Sequence, residues 1–161
     1  MKWDELTDKD KVKLILQHVI PHDMGDDLVL KDNDIITPRG RGARAVNWPI
    51  AAWDEAIECW RTRDAGSNFL TPFDPVHNMN DAWEIVEKMV SRMGYQDMYF
   101  EWQGPLFKPE HQEIVREGYP LGTTCWFVTT IYKGRRITIC AHTPQEAICK
   151  AALKAVGVEI E

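Results

Sequence analysis

The residues best placed to do chemistry are Arg39-Gly40-Arg41-Gly42-Ala43-Arg44. Three arginines and two glycines fall within six positions, with no acid among them, in a chain whose formal net charge is −6. A guanidinium offers paired N–H donors that match phosphate or carboxylate oxygens. Glycine leaves neighbouring backbone N–H groups free to approach an anion closely. Asn47 and Trp48 follow, with Pro49 behind them, and the recurrence of Ile50, Trp53, Ile57 and Trp60 predicts a helix over about Trp48–Trp60. The loop would then run into a helix N-terminus, where partial positive charge and unpaired N–H groups favour anions. Arg39, Gly40, Arg41, Gly42, Arg44, Asn47 and Trp48 are therefore the candidate ligand-binding residues, with Trp48 and Trp53 available to stack on a base. The segment lacks the Gly-Lys-Ser/Thr end of a phosphate-binding P-loop. The competing reading is a solvated basic loop.

Other groupings weigh less. His18 and His22 lie four apart, but Pro21 between them breaks helical register, so solvated histidines outweigh a metal pair. Asp97 and Glu101 share a strand face, which is more simply a solvated face than an acid/base pair. Cys140 and His142 have matching parity, yet a buried thiol beside a capping-region imidazole accounts for them. The four cysteines show no Cys-x-x-Cys spacing and read as buried thiols in a reducing compartment. The expectation is no catalytic residue, no metal ligand and no cofactor. The acidic balance argues against a general nucleic-acid binder, whose affinity comes from cationic surface. No apolar leader and no membrane-length stretch is present, so no membrane association is expected and the cytoplasm is the expected location.

These residues must be held by ordered elements. Thr7 or Asp8 caps a helix to about Val19 with the stripe Val12, Ile15, Leu16 and Val19. Leu28-Val29-Leu30 is a short strand or an anchoring plug. Thr62–Met79 reads as a linker, with Pro72 and Pro75. Asn78 or Asn80 caps a helix to about Met93, with the stripe Ala82, Val86, Met89, Val90 and Met93. Tyr95–Gln103 is a strand, and Gly104–Gly122 a long connection. Two β-rich runs flank Lys133-Gly134, which predicts a two-residue hairpin loop pairing Tyr132 with Arg135 and Val128 with Ile139. Its mixed faces imply cover on both sides. Thr143, Pro144 and Glu146 write a capping box and first turn for a helix whose stripe is Ile148, Ala151, Ala152 and Ala155, with Gln145, Lys150 and Lys154 polar. Gly157 closes it. The fold class expected is α+β, an antiparallel sheet of three or more strands with helices on both faces (an α/β/α sandwich).

Asn80-Asp81-Ala82-Trp83-Glu84-Ile85-Val86-Glu87-Lys88-Met89 and the run from Ala141 to Leu153 resemble the phage ABA sandwich domain family. The resemblance covers about residues 75–159 and implies a small bacteriophage protein acting in the infected bacterial cytoplasm; it brings no established activity or cofactor. Residues 1–74 then form an N-terminal elaboration carrying the Arg-Gly loop, and residues 75–161 a helix-strand-hairpin-helix core, packed as one domain. Two functions are carried. One is a non-enzymatic accessory protein that captures a small anionic, nucleotide-like ligand, in one version sequestering a host defence signal, and homo-oligomeric where a pocket is built between chains. The alternative binds and modulates a host protein, on the strength of the acidic surface, the seven tryptophans and the proline-containing connection at Gly104–Gly122.

Overall fold

The computed structural model describes residues 1–20, 28–31, 35–38, 51–63, 69–92, 98–103, 125–132 and 134–161. A 3-10 turn at Trp3–Glu5 precedes α1 (Asp8–His18). Five strands follow: β1 (Leu28–Lys31), β2 (Ile35–Pro38), β3 (Ala51–Asp54), β4 (Cys59–Arg63) and β5 (Leu70–Phe73). Then come α2 (Met79–Arg92), β6 (Met98–Gln103), β7 (Cys125–Tyr132), β8 (Arg135–Ala141) and α3 (Pro144–Ala155). The class is α+β, with two antiparallel sheets ordered β1-β2-β3-β4-β5 and β6-β7-β8.

The second sheet forms as its residues dictate. Tyr132 faces Arg135, Thr130 faces Ile137, Val128 faces Ile139 and Trp126 faces Ala141, the register expected of a Lys133-Gly134 loop. Gly134 has φ +75°, a left-handed conformation that favours glycine. β6 adds to the free edge of β7, with Phe100 opposite Val128. Val128 and Ala141 are fully buried on one face, and Phe127, Thr129 and Cys140 are buried on the other.

Helix α3 sits at the centre. Thr143 caps it, its hydroxyl accepting from the Glu146 N–H at 3.2 Å, with Pro144 at the first helical position. Every residue from Ala147 to Leu153 is buried. Only a helix enclosed on all sides does this. β7 and β8 cover one side, while α2 and α1 pack on others. Its small alanines permit that close approach. Lys150, expected on a polar flank, is instead buried. Its ammonium lies 3.3 Å from the Glu146 carboxylate and 4.0 Å from that of Asp4, beneath the Trp3 ring at 5.7 Å. The cation thereby ties the amino-terminal turn to the central helix. The last residues join the same seam, since the Trp3 N–H donates to the Glu161 carbonyl at 2.8 Å.

α1 begins where the sequence places it: the Thr7 hydroxyl accepts from the Asp10 N–H at 3.2 Å. α1 contacts α3 and β4, so its main packing is against the helical layer and the first sheet. On α2 the buried side is Ala82, Ile85, Val86 and Met89; Val90, expected within it, is 49% exposed. One cluster runs from Trp3, Val12 and Trp60 through Ile85 and Val128 to Ile148 and Leu153.

Two expectations for the first half are corrected. Residues 51–60 are not helical: β3 and β4 form a hairpin in which Trp53 faces Trp60. The turn between them is made locally. The Asp54 carboxylate accepts from the Ala56 N–H at 3.0 Å, and Glu58 takes φ +48°. The two indoles meet edge to face with centroids 5.8 Å apart. Ile57, expected on one helix face with Trp53 and Trp60, lies exposed in that turn. The supposed linker over Thr62–Met79 also contains ordered strand, because β4 runs to Arg63 and β5 pairs with it, Arg61 opposite Pro72. β5 is at the end of the strand order, where a proline is tolerated.

Two outcomes test this packing. Ala152 is fully buried, so Ala152→Trp should lower stability by about 1–3 kcal/mol in urea denaturation, and no loss would place that helix face in solvent. Lys150→Met should cost about 1–3 kcal/mol by stranding Glu146. Adding Glu146→Gln should recover much of that loss in a double-mutant cycle.

Candidate functional site

The residues nominated from sequence, Arg39, Gly40, Arg41, Gly42, Arg44, Asn47 and Trp48, lie outside the described residues, as do His22 and Asp97 and the connection at Gly104–Gly122. Their flanks are described. β2 ends at Pro38, β3 begins at Ala51, and the two pair antiparallel with Ile36 opposite Ala51. Because β3 stands where the helix was expected, the Arg-Gly segment leads into a strand from residue 51 onward. The helix dipole over residues 51–60 that was expected to favour an anion is absent, because those residues form a hairpin.

A pocket that sequence reasoning missed lies against the β3–β4 hairpin. It is a cavity of about 140 Å³ between the first turn of α1, the hairpin and the turn after β5. Trp53, Trp60 and Phe73 supply its aromatic walls, and Asp8, Glu58 and Asp74 its carboxylates. Trp60 is locked in place, its indole N–H donating to the Lys9 carbonyl at 2.9 Å. The Lys9 ammonium lies 4.5 Å from the centre of the Trp53 ring and 3.9 Å from the Glu55 carboxylate.

At the opposite rim the His77 ring stands between two acids. Nδ1 is 2.9 Å from Asp74 Oδ2 and Nε2 is 3.5 Å from Asp8 Oδ2. The Asp74 carboxylate also accepts from the His77 N–H at 3.3 Å. Asp74 is held in turn, its N–H donating to Asp81 Oδ2 at 2.7 Å. Burial raises the Asp81 carboxyl above its ordinary range, against the lowering effect of that hydrogen bond. The adjacent thiols are poor nucleophiles. Burial raises Cys59, whose Sγ–H is within reach of the Trp60 carbonyl at 3.2 Å, and raises the fully buried Cys149 far above the ordinary thiol range. No grouping of three or more potential metal ligands occurs among the described residues. His18, half of the histidine pair weighed from sequence, has its pKa lowered by burial.

A second surface feature is on α2. Met79, Trp83 and Val90 fall on one side of the helix at 3.6 residues per turn, and Trp83 is 46% exposed. Met79 and Trp83 line an open groove of about 410 Å³ with Asn80, Glu84 and Glu87. The Trp83–Glu84 pair was visible in the sequence; that the indole faces outward was not.

The sequence profile of the phage ABA sandwich domain matches residues 44–153. The match starts before residue 75, so the β3–β4 hairpin and β5 lie within the matched residues. A crystal structure of a phage protein from Bacillus cereus ATCC 14579 is similar in fold, with TM-score 0.50, 18% identity, and coverage of 100% of this chain and 97% of that one. No curated protein matches. Among the described residues, no helix is long and apolar enough to cross a membrane.

Proposed function

We propose that this chain, which belongs to the phage ABA sandwich domain family, is a phage accessory protein that acts by binding, and that its ligand is a small nucleotide-like anion. The observation that carries this reading is the run Arg39-Gly40-Arg41-Gly42-Ala43-Arg44, three cations without an acid in a chain of net charge −6. The anchoring of its flanks supports it. β2 and β3 are neighbours in one sheet, so the segment leaves and rejoins the same scaffold. Asn47 and Trp48 add an amide and a stacking ring to the candidate set. A phage protein with this chemistry suits the sequestration of a host defence signal, with a homo-oligomer where two copies close one pocket.

A second reading is favoured by the outward indole on α2. Tryptophan is enriched among residues that dominate protein–protein affinity. Met79, Trp83 and Val90 offer an apolar strip beside Glu84 and Glu87, which suits a host protein as partner.

Two measurements separate the readings. Nucleotides, cyclic dinucleotides and ADP-ribose compounds should raise the melting temperature, by the equivalent of about 2.7 kcal/mol at a hundredfold excess over Kd. Arg39→Ala/Arg41→Ala/Arg44→Ala should abolish that shift while leaving the ligand-free melting temperature nearly unchanged; a shift that survives in the triple variant moves the site elsewhere. For the second reading, Trp83→Ser should release a host protein captured by the wild type, at a temperature where circular dichroism shows the variant still folded; capture that persists removes Trp83 from the interface.

A further inference from the structure

We propose that Phe69 and Arg63 complete the anion site of the Arg-Gly segment, and that the ligand is a nucleoside phosphate whose base stacks on Phe69 while Arg63 holds a phosphate oxygen. The inference rests on the binding reading above and names the class of ligand: a flat base joined to phosphate, not a bare anion.

The sheet register carries it. Ala51, the first residue of β3, has Ile36 of β2 on one side and Thr62 of β4 on the other. Pro38 and Arg63 therefore extend past Ala51 at one and the same end of the first sheet. Residues 39–50 leave from that end and return to it. On the far side of β4, Arg63 faces Leu70, the first residue of β5, and Phe69 comes directly before it. Neighbouring strands lie about 5 Å apart. Arg63 is thus one strand, and Phe69 two, from the point where the segment re-enters the sheet. That span is one a single nucleotide covers from phosphate to base.

Exposure points to Phe69. It is 78% exposed, the most exposed large apolar side chain among the described residues, while Phe73 at the other end of β5 is 2% exposed. Folding gains little from a phenylalanine left in water. A base laid on its ring covers that surface, and it does so through the π-face that every base has, so purine and pyrimidine are both accepted.

Charge points to Arg63. β4 carries Arg61 and Arg63 two residues apart, which places both on one face of the strand. The charge of Arg61 is matched by the Asp54 carboxylate, 2.8 Å from its Nε. Arg63, nearer the segment, adds a fourth cation to Arg39, Arg41 and Arg44. Its guanidinium has five N–H donors in a fixed fork, so a phosphate can be added to the interactions it makes within the fold.

The test measures Kd for ADP, CDP and inorganic pyrophosphate by titration calorimetry on the full chain. The expected order of affinity is ADP, then CDP, then pyrophosphate, since the larger base covers more of the ring. Phe69→Ala should weaken both nucleotides about tenfold and leave pyrophosphate unchanged, and Phe69→Trp should keep nucleotide affinity at or above the wild-type level. Arg63→Gln should weaken all three about tenfold. Arg63→Lys should fall between Arg63→Gln and wild type, because it keeps the charge and loses the fork. Circular dichroism at the titration temperature checks that each variant is folded. Unchanged affinities in Phe69→Ala and Arg63→Gln, with binding lost in Arg39→Ala/Arg41→Ala/Arg44→Ala, overturn this inference and leave the binding reading standing. Pyrophosphate bound as tightly as ADP overturns the stacked base. Binding of none of the three by the wild type overturns this inference, and the melting-temperature series then decides whether the binding reading falls with it.

Discussion

Enclosure of α3 is the constraint on which the rest of the structure depends. A helix buried at every position from Ala147 to Leu153 must be covered on every side there, and each covering element is thereby placed. The β7–β8 hairpin takes one side, α2 a second, and α1 with the amino-terminal turn a third. The helix meets this demand with Ala147, Ala151, Ala152 and Ala155, which allow close approach, and with Ile148 and Leu153, which fill the remaining space. The one charge it buries, Lys150, is matched by Glu146 one turn away and by Asp4 across the seam. An unpaired ammonium there would cost several kcal/mol. The Trp3–Glu5 turn is therefore required by the central helix, because its acid and its ring complete the surroundings of a buried cation.

Much of the second half was legible because its signals are local. Gly134 demands a tight turn, Thr143-Pro144-Gln145-Glu146 writes a helix start, and the two-residue loop at Lys133-Gly134 sets a register that the structure reproduces pair by pair. The first half was misread where its signals are ambiguous. Trp53 and Trp60 lie seven apart, a spacing that two turns of helix satisfy and that a hairpin satisfies equally when both indoles face each other across it. No glycine marks the turn; Asp54 does so with a side-chain hydrogen bond, and Glu58 takes positive φ without glycine's help. Propensity favoured helix through Asp54-Glu55-Ala56-Ile57-Glu58, and pairing across the sheet prevailed. Pro72 argued for a linker, but at an edge position its missing N–H costs no ladder bond.

The same ambiguity hid the cavity. Its parts come from Asp8 and Lys9, from Trp53 to Trp60, and from Phe73 to His77. No motif links segments so far apart in sequence. They meet only because β4 packs under α1 and β5 continues the sheet beside it. Lys9 alone carried a hint, as a cation at a helix N-terminus, where the backbone dipole disfavours it. A residue set against that preference needs another partner, and the Trp53 ring with Glu55 is that partner.

Charge then organises the molecule at two scales. Over the chain the balance is −6, which repels nucleic acid and attracts cations at long range. Against that background a cluster of one sign is informative where it opposes the mean, as at Arg39–Arg44, and ordinary where it follows it. The acids around the cavity follow the mean, so their number alone argues nothing. Two of them are engaged locally, Asp74 by the His77 ring and Asp8 by His77 and Lys11. Aromatic rings in a core are normally covered by aliphatic side chains. Here the Lys9 ammonium lies over Trp53, where a cation–π contact of about 0.5–1 kcal/mol at a partly exposed site adds to its ion pair with Glu55. Lys9 thus joins α1 to the hairpin twice, its ammonium over Trp53 and its carbonyl accepting from the Trp60 indole, which makes the β3–β4 hairpin the structural joint between α1 and the first sheet.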